Sequence, residues 1–275
     1  MLVIYWLIIL HTKGTELMRE VMLYTGGMDS YMSWRLLGEP PILYIDAGHE
    51  YAKREIKQLY KLHPKELITI DKRIDLADVE TASGWVPLRN AFFFMIGALS
   101  QVNYSVDQTE ENEPIKIYLN ALKGEGSTDK SRWFRWLMSK VMSLCLERKV
   151  VCVAPYHHLY KAQLIQKYLK EFSTPEDLEA LKSTTACYRE KIKKGFKGCG
   201  VCWSCYRRWA ALYYNGIEER YEVNPWELEI VKVNKANVRK WIKGLSRKPI
   251  TYWLPMIKNN YYAYAANKKA RKKNG

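Results

Sequence analysis

The sequence predicts an α/β fold, namely a doubly wound, mostly parallel sheet followed by a helical C-terminal part that contains a cysteine cluster. Three observations support this. Apolar segments at residues 20–24, 41–46 and 67–70 alternate with helical stretches, a glycine-rich loop follows the first segment, and four cysteines lie close together near residue 200. Strands that alternate with helices form a parallel sheet covered on both faces, and ligands bind at the carboxyl ends of its strands.

The composition is that of an ordinary folded protein. Of the 275 residues, 48% are hydrophobic and 27% are charged, which excludes a collagen-like or wholly disordered chain. Six cysteines are too few for a scaffold built from disulfides. The net charge of +15 favours partners that carry phosphate, which are nucleotides, nucleic acid or an anionic surface.

An apolar run, MLVIYWLIIL, occupies residues 1–10. It is shorter than the ~20 residues that span a bilayer and lacks the features of a secretory signal, so we expect a cytoplasmic protein without a membrane span. The codons of Lys13 and Gly14 contain purines where a bacterial ribosome-binding site precedes a start codon. We therefore hypothesise that translation of the native protein starts at Met18. The alternative is that residues 1–10 form an additional edge strand or a peripheral anchor.

A strand, a loop and a helix follow at residues 20–37. Adjacent glycines let backbone N–H groups turn towards an anion, and the start of a helix adds partial positive charge. The loop lacks the lysine of a Walker A motif and the third glycine of a dinucleotide fingerprint. A plain strand-to-helix connection is the alternative. We expect a nucleotide phosphate site formed by Tyr24, Thr25, Gly26, Gly27, Met28, Asp29 and Ser30.

The second strand ends in Asp46, and a helical stretch at residues 51–62 and a third strand follow. The carboxyl ends of parallel strands meet at one edge of a sheet. We therefore expect Asp46 to lie beside the glycine loop and to contact the nucleotide.

Cys187, Cys199, Cys202 and Cys205 have the spacing C-x11-C-x2-C-x2-C. Two short spacings bring three thiolates into one loop, and the distant fourth completes a tetrahedral site for which zinc is the default metal. An iron–sulfur cluster is the alternative, and disulfides are disfavoured in a chain without an export signal. Four thiolates leave no open coordination position, so the predicted role of the metal is structural.

Two expectations concern the surroundings of the cysteine cluster. Basic residues, Arg207 and Arg208 among them, are expected to offset the negative charge of a zinc ion held by four thiolates. The remaining cysteines, Cys145 and Cys152, have no partner pattern, and we expect both to be buried.

Residues 234–275 are basic, with interleaved aromatic residues. This composition suits a nucleic-acid surface, and a solvated helix with a lysine-rich tail is the alternative. The predicted parts of the chain are therefore a peripheral or non-native extension at residues 1–17, a nucleotide-binding domain at 18–155, a helical and four-cysteine zinc-binding region at 156–215, and a basic extension at 216–275.

The glycine loop resembles the PP-loop, Ser-Gly-Gly-x-Asp-Ser, of enzymes that split ATP between its α and β phosphates, with Thr25 in place of the first serine. Together with the cysteine cluster it makes the chain similar to the QueC family of 7-cyano-7-deazaguanine synthases. Residues 25–30, 86–93, 161–165 and 186–208 carry this resemblance in family order. It implies a PP-loop, HUP-like fold and a ligase that converts 7-carboxy-7-deazaguanine, ammonia and ATP to the nitrile through an adenylate and an amide. We also expect a homodimer.

The implied chemistry assigns roles to further residues. Adenylation gives the carboxylate a leaving group, and Arg89 and Lys161 can then hold the charge of the departing pyrophosphate. Asp29 is a candidate ligand for the Mg²⁺ that accompanies ATP. Asn90 precedes an apolar helix, so it is also a candidate N-cap. Catalytic roles are predicted for Asp29, Ser30, Arg89 and Lys161, and substrate contacts for Asn90, Asn120 and Asp129.

One segment departs from the family pattern. Lys123 stands where the family has an aspartate, and Ser127 and Thr128 replace its Tyr-Pro. An adenylating enzyme that joins a deazaguanine or related acid to a different amine is therefore one alternative, and a zinc-stabilised nucleic-acid-binding protein with a vestigial PP-loop is another. A PP-loop transfer-RNA thiolase is disfavoured because no cysteine occurs before Cys145.

Overall fold

The computed structural model describes residues 19–49, 52–79, 86–102, 114–125, 127–185, 187 and 192–225. The proposed start at Met18, the apolar run at residues 1–10 and the basic run at 234–275 lie outside these residues.

The elements follow one another in an alternating order. The strands are β1 (Arg19–Leu23), β2 (Ile42–Ile45), β3 (Ile68–Asp71), β4 (Ile115–Leu119) and β5 (Val150–Val153). The helices are α1 (Met28–Leu36), α2 (Ala52–Leu62), α3 (Arg89–Val102), α4 (Arg132–Cys145), α5 (Lys161–Glu171), α6 (Pro175–Ser183) and α7 (Trp203–Tyr214). No helix among the described residues is long and apolar enough to cross a bilayer.

The five strands pair in parallel, in the order β3-β2-β1-β4-β5. The chain runs outward from β1 to β3 and then returns to place β4 on the other side of β1. In sheets of this kind a ligand crevice forms where the strand order reverses. The reversal lies between β1 and β4, so the glycine loop and Asn120 meet at that crevice. The predicted doubly wound fold class is confirmed.

The strands bury side chains on both faces of the sheet. Met22 and Tyr24 pack with α1, α2, α5, α6 and α7 on one face. Val21 and Leu23 pack with α3 and α4 on the other. Burial on both faces explains why β1 and β2 contain continuous apolar runs in the sequence rather than alternating patterns.

A third apolar cluster joins the cysteines to α7. Tyr206, Trp209 and Tyr213 pack with the buried cysteines and Tyr221. The opposite side of the same helix contributes Leu212 to the core beneath the sheet. Helix α7 therefore packs against both the cysteine cluster and the core beneath the sheet.

The expectation that both remaining cysteines are buried is half right. Cys152 lies on β5 and is buried, whereas Cys145 is exposed. Cys145 is the last residue of α4 and lies three positions beyond Met142, the last buried residue of that helix.

Candidate active site

A cavity of about 380 Å³ opens at the carboxyl ends of β1 and β4. Its wall includes the glycine loop, the starts of α3 and α5, and part of the cysteine region. Residues that the sequence assigns to four separate segments therefore meet around one space. The predicted site residues on this wall are Tyr24, Thr25, Gly27, Met28, Asp29, Ser30, Arg89, Asn90, Asn120, Lys161 and Cys187.

The glycine loop is held by the cysteine region. Gly26 has a φ of +67°, in the left-handed region that favours glycine. Its carbonyl oxygen accepts hydrogen bonds from the backbone N–H of Thr185 at 3.0 Å and from the Thr185 hydroxyl at 2.7 Å. Thr185 stands two positions before Cys187, so these hydrogen bonds attach the loop to the segment that leads into the cysteine cluster. Sequence reasoning missed Thr185 because a lone threonine has no recognisable pattern.

The loop leaves several donors available to a ligand. Gly27 is the N-cap of α1 and offers no side chain to the first N–H groups of that helix. Such groups form an anion site together with the helix dipole. The hydroxyl oxygens of Thr25 and Ser30 lie 3.2 Å apart at the same place. The arrangement is suited to phosphate.

Asp29 and Lys161 form an ion pair on the cavity wall. The Lys161 Nζ lies 2.6 Å from Asp29 Oδ2, and the two side chains are 14% and 16% exposed. Burial lowers the pKa of Lys161, Asp29 opposes that shift, and Arg207 adds to it. The other carboxylate oxygen, Asp29 Oδ1, is buried without a hydrogen-bond partner among the described residues. An orphaned carboxylate oxygen fits a Mg²⁺ ion or a ligand that carries one.

The segment that departs from the family pattern contributes an ion cluster to the wall. Glu125 Oε2 lies 3.3 Å from the Lys130 Nζ, and Glu125 Oε1 lies 3.6 Å from Arg207 Nη2. Burial raises the pKa of Glu125, but Lys130, Arg207 and Lys161 outweigh that effect and lower the pKa overall. The buried carboxylate is therefore charged at neutral pH. Glu125 and Lys130 are functional candidates that the sequence analysis missed.

The predicted substrate-contact residues are fixed by hydrogen bonds. Asn90 Nδ2 donates to Asp129 Oδ2 at 2.7 Å, and the Ser127 hydroxyl donates to Asp129 Oδ1. The Ser33 hydroxyl donates to Asn120 Oδ1 at 2.8 Å. The helix-cap prediction for Asn90 is wrong, because α3 begins at Arg89 and the Asn90 amide reaches Asp129 instead. Asp129 stands behind Asn90 rather than on the wall itself.

Asp46 follows β2 at the expected edge of the sheet but is not one of the residues found on the cavity wall. Its carboxylate lies 3.8 Å from the Nζ of the exposed Lys72 and accepts a hydrogen bond from the Gly48 N–H at 3.3 Å. Tyr44 and Glu55 line the cavity in this region. The predicted nucleotide contact of Asp46 has no geometric support here.

The Tyr44 hydroxyl donates to Glu55 Oε2 at 2.8 Å. Burial raises the pKa of Glu55 to about 7, although the hydrogen bond from Tyr44 and the charges of Arg54 and Arg89 act in the opposite direction. The cavity therefore contains a carboxyl group that titrates near neutral pH.

The Sγ atoms of the four predicted metal ligands all lie within 4.8 Å of one another. Those of Cys199 and Cys205 are 4.0 Å apart. Sulfur atoms at ~2.3 Å from a tetrahedral zinc ion are roughly 3.8 Å apart, so the cluster has the dimensions of a zinc site. The sequence spacing thus predicted a cluster that can hold a metal ion.

Two glycines allow the chain to wrap tightly around the cysteines. A Cβ atom at Gly198 would lie 2.5 Å from the Cys205 Sγ. Gly200 has a φ of +74°, and a Cβ atom there would lie 1.7 Å from the carbonyl oxygen of Val223. Both positions therefore exclude a side chain.

Arg207 and Arg208, predicted to offset the thiolate charge, pair with carboxylates instead. Arg207 contacts Glu125 in the cavity. The buried Arg208 donates to both carboxylate oxygens of Glu219, at 2.8 and 2.6 Å, and to the Thr184 hydroxyl at 2.7 Å. Arg208 thus joins α7 to the end of α6.

Comparison with known proteins gives one family. Residues 44–216 match the family model described as queuosine biosynthesis protein QueC. This range contains Arg89, Lys161 and the four cysteines, and it begins after the glycine loop.

Curated relatives named 7-cyano-7-deazaguanine synthase match parts of the chain. One from Methanococcus maripaludis is 33% identical over 135 residues, which are 48% of this chain and 54% of that relative. The match therefore spans about half the length of the relative. One from Methanocaldococcus jannaschii is 25% identical over 237 residues, 74% of this chain and 98% of the relative. One from Chlorobium phaeobacteroides is 27% identical over 241 residues, 76% of this chain and 99% of the relative.

Proposed function

The chain belongs to the QueC family of queuosine biosynthesis proteins, and we propose that it is a carbon–nitrogen ligase that makes 7-cyano-7-deazaguanine from 7-carboxy-7-deazaguanine, ammonia and ATP. The observation that carries the proposal is the cavity around which the glycine loop, Arg89 and Lys161 meet. An enzyme that adenylates a carboxylate needs phosphate donors and positive charge around one space, and these residues are suited to both needs.

The proposed reaction removes two oxygen atoms from one carbon. A carboxylate oxygen attacks the α-phosphorus of ATP, the bond to pyrophosphate breaks, and ammonia displaces AMP to give the amide. The amide oxygen is then adenylated in the same way, and loss of AMP and protons leaves the nitrile. Because each oxygen atom leaves on one AMP, two AMP and two pyrophosphate molecules are expected per nitrile.

We assign the phosphates of ATP to the loop and its neighbours. The first N–H groups of α1 and the hydroxyls of Thr25 and Ser30 donate to the phosphates. Arg89 and Lys161 hold the charge of the departing pyrophosphate, and Asp29, 2.6 Å from the Lys161 Nζ, opposes the lowering of the Lys161 pKa by burial. Asp29 Oδ1 would also hold Mg²⁺, which when bound neutralises phosphate charge.

We assign the deazaguanine ring to the polar groups that follow β4 and begin α3. Asn90 and Asn120 line the cavity, and a hydrogen bond orients each of them. The Asn90 amide donates to Asp129, and the Asn120 amide oxygen accepts from the Ser33 hydroxyl. Oriented amides can match both donors and acceptors of a purine-like ring edge.

We assign zinc to the four cysteines, with a structural role. The cluster has the ligand type and dimensions of a zinc site. Cys187 lines the cavity, and nearby Thr185 holds Gly26. Bound zinc would therefore stabilise the fold and keep one wall of the cavity in order.

A second candidate function is the joining of the activated acid to an amine on another molecule. The observation that favours it is the cluster of Glu125, Lys130 and Arg207 on the cavity wall. Ammonia is too small to need a carboxylate and two cations for its recognition, whereas a larger acceptor with charged groups can contact all three.

The adenylation step can be tested by exchange of labelled pyrophosphate into ATP. We expect exchange that depends on 7-carboxy-7-deazaguanine in the parent protein and loss of at least 100-fold in Asp29→Asn, which keeps the size of the side chain. Exchange without the acid, or undiminished exchange in the variant, would contradict the assignment. Both candidate functions share this step, so the identity of the product with ammonium separates them.

A further inference from the structure

Two consecutive arginines of α7, Arg207 and Arg208, line the cavity but differ in their hydrogen bonds. The guanidinium group of Arg208 donates to the Glu219 carboxylate, to the Thr184 hydroxyl and to two backbone carbonyl oxygens in the last turn of α6. Arg207 donates no hydrogen bond to any of the described residues. Arg208 therefore stabilises the fold, whereas the N–H donors of Arg207 are available to a ligand.

The contact between Arg207 and Glu125 does not use these donors. Arg207 Nη2 lies 3.6 Å from Glu125 Oε1, which is longer than a hydrogen bond. The Arg207 side chain is only 27% exposed, so water solvates it incompletely. A partly buried guanidinium group is stabilised by an acceptor, and its planar fork of N–H groups matches a phosphate or a carboxylate. The missing partner of Arg207 is therefore an oxyanion in the cavity.

The cavity wall has an excess of positive charge. Its carboxylates are Asp29, Glu55 and Glu125, and Glu55 is only partly ionised at neutral pH because burial raises its pKa to about 7. The cations outnumber them even when the pair of Arg208 and Glu219 is set aside. These cations are Arg89, Lys130, Lys161 and Arg207. The balance of charge thus favours a ligand with more than one negative charge.

Arg207 and Lys161 lie close enough to repel each other. The charge of Arg207 is one of the causes that lower the pKa of Lys161. An anion that contacts both side chains removes this repulsion and gains from both charges. Because Lys161 is assigned to the pyrophosphate part of ATP, the same group is within the field of Arg207.

We propose that Arg207 is a further catalytic residue of the adenylation step, in which its guanidinium group contacts the departing pyrophosphate. This role rests on the proposed function. In that step the bond between the α-phosphorus and its bridging oxygen breaks, and the oxygen keeps the electron pair. Negative charge therefore develops on the pyrophosphate, where a guanidinium group stabilises it.

The second candidate function assigns Arg207 to an amine acceptor instead. The two assignments affect different steps, because pyrophosphate leaves before any acceptor reacts. Exchange of labelled pyrophosphate into ATP, which needs no acceptor, therefore separates them. Binding of inorganic pyrophosphate to the zinc-loaded full chain, measured by calorimetry without the acid, tests the contact apart from the chemistry.

The substitution Arg207→Met removes the guanidinium group and keeps an apolar side chain. We expect it to weaken pyrophosphate binding, and to lower kcat/KM for pyrophosphate in exchange, about 10- to 100-fold. Arg207→Lys keeps the charge but loses the fork, so it should recover part of the loss. Arg220→Met is the matched control, since Arg220 is exposed, belongs to the same region and is not among the residues on the cavity wall; it should leave both quantities unchanged.

The zinc content of each variant should equal that of the parent, which shows that the cysteine region is intact. Exchange and binding in Arg207→Met that equal those in Arg220→Met would overturn the role of Arg207 and leave the proposed function in place. So would unchanged exchange together with slower reaction of an amine, which would move Arg207 to the acceptor. A parent chain without exchange would contradict the proposed function itself and, with it, a catalytic role for Arg207.

Discussion

Glu55 is expected to make the stability of this protein depend on pH. Its carboxyl group is buried beneath the glycine loop, and burial raises its pKa to about 7 from the ordinary 4.5. Between these pH values the folded chain binds one proton more than the unfolded chain. The contribution of Glu55 to the free energy of unfolding is therefore fully present below about pH 4.5 and is lost as the pH rises through 7. The loss amounts to about 3 kcal/mol above pH 7, at ~1.4 kcal/mol for each pH unit between the two pKa values.

His63 acts in the opposite direction. It is buried, with Nε2 2.8 Å from the Tyr24 hydroxyl, and burial lowers its pKa from 6.5 to about 4. The unfolded chain binds the additional proton between these values, so stability from His63 rises as the pH increases from 4 to 6.5. Between pH 4.5 and 6.5 the contributions of Glu55 and His63 offset each other.

The substitution Glu55→Gln should separate these two contributions. Glutamine keeps an acceptor for the Tyr44 hydroxyl but does not ionise. We expect the free energy of unfolding to equal that of the parent at pH 4.5 and to exceed it by about 3 kcal/mol at pH 8. The pH dependence that remains in the variant should include the rise due to His63, ~1.4 kcal/mol for each pH unit between 4.5 and 6.5.

Urea unfolding followed by circular dichroism, at four pH values from 4.5 to 8 with zinc present, measures this difference. Comparison of two proteins at each pH cancels the titration of all other groups. The exposed Glu66 provides the control, since Glu66→Gln should change stability by less than ~0.5 kcal/mol at every pH. A Glu55→Gln effect of the same size at pH 4.5 and pH 8 would refute the reasoning.

Three further substitutions test the metal site and the phosphate site. Gly200→Ala should lower the melting temperature by several degrees and weaken zinc retention, because its Cβ atom would lie 1.7 Å from a carbonyl oxygen. Gly195 is the control, since it also has a positive φ but a Cβ atom there meets nothing within 4 Å. Gly195→Ala should lower the free energy of unfolding by only about 1 kcal/mol in the same melting assay. Cys202→Ser should lose zinc, counted by elemental analysis, together with stability, and a stable variant without zinc would contradict the structural role. Lys161→Met should reduce kcat/KM for ATP about 100- to 1,000-fold. Lys167→Met, on the same helix with a side chain 42% exposed, should leave kcat/KM unchanged. Equal effects of the two substitutions would contradict the assignment of Lys161 to the phosphate site.

The sequence predicted those features that depend on local pattern. The first three strands are found within one residue of their predicted ends. Burial on both faces gives β1 and β2 continuous apolar runs, and the partly exposed β3 still contains Ile68 and Ile70. The cysteine cluster was predictable because three of its four members lie within seven residues. The glycine loop was predictable since its position between a strand and a helix fixes its geometry.

The features that escaped prediction depend on contacts between distant residues. The pair of Glu125 and Arg207 joins two segments that no periodicity relates. The hydrogen bonds from Thr185 to Gly26 connect the cysteine region to the glycine loop across most of the chain. Nucleic-acid contact by residues 234–275 stays a prediction, because these residues lie outside the described part of the structure.

The most direct test of the proposed function is mass spectrometry of the products that the zinc-loaded protein forms from 7-carboxy-7-deazaguanine, MgATP and ammonium. We predict 7-cyano-7-deazaguanine and two AMP per nitrile. An amide that accumulates with one AMP would indicate an enzyme that stops after the first adenylation and would favour another amine as the true acceptor. Absence of AMP and of any change in the acid would contradict the proposed activity.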